Sequence, residues 1–181
     1  MSCNPPSFRF CPCCGGPLER RPLGGRDRLA CRDCHRVLYV NPAVGVAVVV
    51  RRGEQILWGR RAGGPSPGAW CLPCGYLEWG EEVREAAARE FQEETGLAVE
   101  VGELLAVHSN FHDPERLTVG LWFAGRVVGG DLRAGDDLTE VAFFPVAQPP
   151  QPLAFSTDAL VAGELRAGKV YLIPDMLYSI R

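Results

Sequence analysis

From Glu81 to Thr95 the chain consists almost wholly of strong helix formers, and two separate demands run along the predicted helix. Val83, Ala87 and Phe91 recur at four-residue spacing, an apolar stripe that has to be covered. Glu90, Glu93 and Glu94 fall elsewhere on the helix. With about 100° per residue, Glu93 lies at about −60° and Glu94 at about +40° from Glu90, so the three carboxylates share a face. Like charges three and four residues apart repel. The plain reading is a solvated acidic face. The sharper one is a site for a hard divalent cation such as Mg²⁺, which takes carboxylate oxygens and completes its shell from water and phosphate. Gly96 stands where a left-handed stop belongs.

The rest of the chain supplies material to cover the stripe. Val44 to Val50 is β-rich, Arg51-Arg52-Gly53-Glu54 has turn chemistry and Gln55-Ile56-Leu57-Trp58 opens a second strand, which together predict a hairpin. Strand-like runs are predicted at 97–108, 116–128 and 138–144, and a second helix at 156–167 before Gly168. The longest apolar run, Ala43 to Val50, falls far short of the roughly 20 residues a membrane helix needs. Met1-Ser2-Cys3-Asn4-Pro5-Pro6 has neither a charged lead nor an apolar core, so no secretory signal is read there and a cytoplasmic location is expected.

The first forty residues have a different texture, rich in Cys, Arg, Gly and Pro, and such a piece needs a staple. Cys11-Pro12-Cys13-Cys14 and Cys31-Arg32-Asp33-Cys34 are two C-x₂-C pairs with sixteen residues between Cys14 and Cys31. In a reducing compartment this spacing predicts tetrahedral Zn²⁺ on Cys11, Cys14, Cys31 and Cys34, with Cys13 an ambiguity inside the first pair and His35 a neighbour. Cys71 and Cys74 have no further pair to complete a site and read as buried free thiols, and Cys3 as part of a loose terminus. Residues 1–40 carry a formal charge of +4 and residues 41–181 carry −7. An acidic main body argues against general nucleic-acid binding, and the ribbon's charge falls to about +2 once four thiolates hold one Zn²⁺. The expected organisation is a zinc ribbon over 1–40 and a catalytic domain over 41–181.

The stretch from Gly75 to Leu97 resembles the signature of the Nudix hydrolase family, G-x₅-E-x₇-R-E-U-x-E-E-x-G-U with U bulky and apolar. The specified positions are occupied by Gly75, Glu81, Arg89, Glu90, Phe91, Glu93, Glu94, Gly96 and Leu97. Pro73-Cys74 departs slightly from the Gly or Ala common just before this box. Tyr39 to Val44, Arg60-Arg61-Ala62, Trp70-x-Leu72-Pro73 and Leu153-Ala154-Phe155-Ser156 resemble the zinc-ribbon branch associated with ADP-ribose and FAD hydrolysis. The motif of NADH pyrophosphatases is not matched by Gln148 to Phe155.

The resemblance implies an α/β fold, an α/β/α sandwich around a mixed sheet preceded by a small zinc ribbon. It implies hydrolysis of the pyrophosphate in a nucleoside diphosphate linked to X, with ADP-ribose first and FAD or NADH next. Mg²⁺ or Mn²⁺ would be held by Glu90, Glu93, Glu94 and the Gly75 carbonyl, with Arg89 orienting a glutamate and Glu81 belonging to the helix start. Arg60 and Arg61 are candidate phosphate clamps, with at least one expected to face solvent. Asp136, Asp137, Glu140 and Glu115 are candidate general bases. Trp70, Tyr76, Phe111 and Trp122 could stack an adenine, although packing is the plainer role, and His108 and His112 read as strand or loop residues. A homodimer and a small-molecule nucleotide partner are expected. The alternatives are a regulatory binding module on the same scaffold and a hydrolase of capped RNA or oxidised nucleoside triphosphates.

Overall fold

The computed structural model describes residues 8–111, 113 and 116–169, so Cys3, His112 and Glu115 lie outside the described residues. The chain divides into two units, one comprising Met1–Pro42 with Asp113–Leu117, the other Ala43–His112 with Thr118–Arg181.

In the first unit, Gly24 and Gly25 with φ of 59° and 75° turn β1 (Leu18–Leu23) back onto β2 (Arg26–Cys31). A two-residue β3 (Val37–Leu38) completes an antiparallel sheet in the order β1-β2-β3. Among the described residues of this unit the buried side chains are Cys11, Ala30 and Cys31. That is too little apolar burial to hold forty residues without a cross-link.

The second unit is built on a mixed sheet. The predicted hairpin forms as β4 (Ala43–Arg52) and β5 (Gln55–Arg61). After β6 (Trp70–Cys71) and β7 (Cys74–Tyr76) comes α1 (Val83–Thr95). Then follow the long strands β8 (Leu97–Asn110) and β9 (Thr118–Gly130), β10 (Leu138–Pro145) and α2 (Ser156–Arg166). The sheet runs β10-β5-β4-β9-β8, with β6 beside β5 and β7 beside β4. Among the strands of this sheet β4 and β9 pair in parallel and the other pairs are antiparallel.

The period-2 alternation of β4 separates two cores. Val46, Val48 and Val50 pack with Ala86, Ala87 and Phe91 of α1, while Ala47 and Val49 pack with Val161, Ala162 and Leu165 of α2. The helices therefore cover opposite faces of the sheet, which makes this unit an α/β/α sandwich. Helix α1 begins at Val83 rather than Glu81, because Glu82 caps it by accepting the N–H groups of Arg84 and Glu85 at 2.7 and 3.2 Å. It ends at Gly96, whose φ is 72° and whose N–H donates to the Gln92 carbonyl. No helix among the described residues is long and apolar enough to cross a membrane.

Candidate functional site

Two clusters of ligand-bearing side chains stand out, one in each unit. In the first, the sulfurs of Cys11, Cys14, Cys31 and Cys34 all lie within 4.8 Å of one another. Cys11 and Cys34 are 3.7 Å apart, and Cys14 and Cys31 3.5 Å. A tetrahedral zinc site with Zn–S near 2.3 Å has sulfur edges of about 3.8 Å, so the set is close to the geometry a metal needs. Cys13 lies outside the converging set and its sulfur accepts from Arg36 Nη1 at 3.4 Å, which removes the ambiguity in the first pair. His35 is also outside it. The Cys13 N–H donates to Cys11 Sγ at 3.4 Å and is the first cause of lowering that thiol's pKa to about 6. The Cys34 N–H does the same for Cys31 at 3.5 Å, and its pKa is also lowered. Each C-x₂-C turn thus favours one thiolate, the form that binds metal.

The second cluster is the acidic end of α1, and Arg89 organises it. Its Nε and Nη2 grip both oxygens of Glu81 at 2.7 and 3.0 Å, and Nη1 reaches Glu90 at 2.8 Å and Glu93 at 3.1 Å. Nη2 also donates to the Tyr76 carbonyl at 3.3 Å. Glu81 precedes the helix, so helical spacing does not govern it, and the guanidinium draws it to the side of Glu90. The Arg89 hydrogen bonds hold the Glu81 carboxyl below its usual range, and Glu81 in turn raises the Arg89 pKa. Burial pushes Glu90 up against the opposing pull of Arg89.

Gly75 faces Glu90 across the β7–α1 contact. A Cβ at Gly75 would fall within the Glu90 carboxyl group, so a side chain at this position would push that carboxyl aside. That close approach also brings the Gly75 backbone beside the carboxylate.

Glu94 differs from its two neighbours. It is 2% exposed, whereas the Glu93 side chain is 51% exposed. Its Oε2 accepts the Cys74 N–H at 2.8 Å and its carboxyl lies against that of Asp137. Burial, then the Cys71 thiol and Asp137, push its pKa well above the carboxylate range. The three glutamates therefore share a helix but not an environment, and among the described residues only the cysteines converge tightly as a ready-made set. What fits a hard cation here is the chemistry of the donors: several carboxylates, Gly75 backbone pressed against one of them, and Asp137 Oδ1 buried with no hydrogen-bond partner.

The segment 131–137 brings the downstream acids to this edge. The Arg133 and Gly135 N–H groups donate to the Thr95 and Glu94 carbonyls at 2.9 Å each. Asp136 is felt electrostatically by Glu90, and Asp137 by Glu94. Glu140 instead faces Arg60 at 3.6 Å. Arg60 Nε donates to the Gly68 carbonyl at 3.0 Å and its side chain is half exposed, while the Arg61 side chain is largely covered and paired to Asp137 at 3.0 Å. Trp70 and Trp122 are buried in the α2-side core; Tyr76 and Phe111 are exposed. His108 contacts Glu164 at 3.4 Å and the edge of Trp122. The sequence reading missed Asp158, a buried acid in the first turn of α2 that accepts the Leu72 N–H at 3.2 Å. Burial raises its pKa to about 7. Its position in a helical first turn was visible, its burial was not.

Residues 41–162 match the family model described as NUDIX domain. The chain is 39% identical over 130 residues to an ADP-ribose pyrophosphatase of Methanocaldococcus jannaschii, covering 71% of this chain and 76% of that protein. It is 31% identical over 124 residues to an NAD-capped RNA hydrolase NudC of Stutzerimonas stutzeri; the match takes in 68% of this chain but only 43% of that protein's length. The crystal structure of a NUDIX hydrolase from Nitrosomonas europaea superposes with a TM-score of 0.77 at 32% identity, over 89% of this chain and 94% of the other.

Proposed function

The chain belongs to the NUDIX domain family of hydrolases, and on that premise we propose that it cleaves the pyrophosphate bond of a nucleoside diphosphate linked to X, with ADP-ribose as first substrate and FAD or NADH next. The observation that carries this reading is the edge where Gly75, Glu90, Glu93, Glu94 and the 131–137 segment meet. It gathers oxygen donors and leaves Asp137 Oδ1 without a partner. The likeness to the ADP-ribose pyrophosphatase supports the substrate.

In this reading Glu90, Glu93, Glu94 and the Gly75 carbonyl hold Mg²⁺ or Mn²⁺. When bound, the cation neutralises phosphate charge and makes water a better nucleophile. Arg89 holds Glu90 and Glu93 through one nitrogen and ties them to Glu81, so the carboxylates are restrained before substrate arrives. Asp136 would take the proton of the attacking water, a role supported by its electrostatic influence on Glu90, whereas Glu140 is turned to Arg60. Residues 1–40 act as a zinc ribbon that stabilises the chain, with Cys11, Cys14, Cys31 and Cys34 as ligands, and residues 41–181 form the catalytic domain. Thiols kept free for a metal suit a reducing compartment such as the cytoplasm.

The likeness to NudC favours a second substrate, the NAD cap of an RNA. Purified protein assayed with Mg²⁺ or Mn²⁺ against ADP-ribose, FAD, NADH, NAD-capped RNA and a nucleoside triphosphate decides between them. Highest kcat/KM on ADP-ribose is expected. No turnover of any diphosphate-linked substrate refutes the reading.

A further inference from the structure

Acidic groups from two other segments of the second unit meet Arg61, at the end of β5. Its side chain is 11% exposed and its Nη2 donates to Asp137 Oδ2 at 3.0 Å. The guanidinium lies over the Phe155 ring, 5.4 Å from its centroid, and stands against the Cys71 thiol. Asp158 feels its charge from the first turn of α2. The backbone fastens the same group from both sides. The Ala62 N–H donates to the Asp137 carbonyl at 2.7 Å, and Trp70 pairs with Leu153 ahead of Phe155.

A cation that clamps substrate phosphate needs N–H groups open to solvent. Arg61 is largely closed off from solvent: its Nη2 is committed to Asp137 and its Nε is enclosed without an acceptor. What it does engage is a carboxylate pair. Asp137 lies against Glu94, Glu94 is held by the Cys74 N–H, and Asp137 Oδ1 has no donor. Two carboxylates packed together repel unless a positive charge or a proton offsets them.

We propose that Arg61 is a positioning residue: by engaging Asp137 Oδ2 it holds Asp137 against Glu94, so that Oδ1 and the Glu94 carboxyl form one edge of the divalent-cation site. The proposal rests on the hydrolase reading above and adds to it two residues, Asp137 as a cation-facing acid and Arg61 as its support. A guanidinium suits the task because its planar fork stays charged when buried and can rest on Phe155 while donating to Asp137.

The test is Mn²⁺ binding to the full chain without substrate, followed by paramagnetic resonance, on the wild type, Arg61→Met, Arg61→Lys, Asp137→Asn and the Arg61→Met/Asp137→Asn double variant. Arg52→Met serves as control, removing an exposed arginine that stacks on Phe143. Arg61→Met and Asp137→Asn should each weaken binding about tenfold or more, and the double variant hardly further, because both remove one support. Arg61→Lys should fall between wild type and Arg61→Met, and Arg52→Met should match wild type. At saturating Mn²⁺, KM for ADP-ribose in Arg61→Met should stay within about threefold of wild type, as for a residue that does not touch substrate. Asp137→Asn keeps the shape of the side chain and carries the test if Arg61→Met does not fold. Unchanged Mn²⁺ affinity with a raised KM would make Arg61 a phosphate clamp and overturn the proposal, as would additive losses in the double variant. A wild type that hydrolyses ADP-ribose while Arg61→Met binds Mn²⁺ normally defeats this proposal alone. A wild type that neither binds Mn²⁺ nor hydrolyses any substrate defeats it together with the hydrolase reading.

Discussion

The cysteine cluster and the acidic cluster solve the same electrostatic problem in opposite ways. Four sulfurs converge within 4.8 Å in a unit whose buried side chains are Cys11, Ala30 and Cys31. Among the described residues nothing apolar of consequence holds them there, so a metal bound at that point would act as a folding element. The acidic cluster stands on a unit with two hydrophobic cores, and the chain supplies its own cations, Arg89 for Glu81, Glu90 and Glu93 and Arg61 for Asp137. Those carboxylates are held apart and oriented with or without a metal. The lesson is that a ligand cluster inside a sufficient core is free to serve chemistry, because its ion can leave without the fold leaving too.

The largest effect should follow from breaking the cysteine cluster. Cys31→Ser removes a buried member of the proposed zinc set, and structural zinc in small modules contributes on the order of 10 kcal/mol to their folding. Zinc content should fall to near zero and limited proteolysis should cut within residues 8–42, while ADP-ribose turnover persists. Loss of turnover with an intact second unit would erase the distinction drawn above. Next comes Glu94→Gln or Glu93→Gln. If these glutamates hold the cation as proposed, either change should lower kcat by about a hundredfold or more. The thermal midpoint should hold, and for Glu94 it should hold or rise, since a buried carboxyl with a raised pKa is replaced by a neutral amide. Near-wild-type rates in both variants at low and high Mg²⁺ would refute the mechanism.

Gly75→Ala sharpens the comparison by disturbing the acidic site sterically. The new methyl must displace the Glu90 carboxyl, the mobile end of a side chain, so stability should change by no more than about 1 kcal/mol while Mn²⁺ binding weakens. Denaturant unfolding and cation titration check both. Asp158→Asn probes a smaller term. The Asp158 pKa rises from 3.8 to about 7 on folding, so the folded chain holds an extra proton between those values. Its stabilisation is complete at low pH and drains away as pH rises toward 7. Relative to Asp158→Asn, the wild type should lose on the order of 1 kcal/mol between pH 6 and pH 8, read from denaturant midpoints. A flat difference would place the proton elsewhere. Glu85→Gln, on the exposed face of α1, should change stability by no more than about 0.5 kcal/mol and leave kcat alone.

Local physics accounts for what was readable in advance. The stripe Val83, Ala87 and Phe91 packs against β4 as its spacing requires, and Gly96 closes the helix. Helical spacing also puts Glu90 and Glu93 within reach of one guanidinium. The paired cysteines converge because a C-x₂-C turn presents both sulfurs to one point whatever surrounds it. Chain-order signals likewise placed the hairpin and the three later strands to within a few residues.

Other features had no local cause. Periodicity tells where a side chain leaves the helix axis but not what stands opposite, so Glu94 looked like Glu93 until β7 buried it. Glu81 sits outside the helix and reaches the site only through Arg89. Arg61 and Asp137 are 76 residues apart, and β5 and β10 had to pair before one could neutralise the other. Asp158 lies 86 residues beyond Leu72, the residue whose N–H it accepts. The sequence by itself determined the helix, its two faces and the cysteine turns, because those depend on neighbours along the chain. The tertiary structure alone decided which carboxylates are buried and which cation each one meets, because burial and charge pairing depend on distances in space that no local spacing encodes.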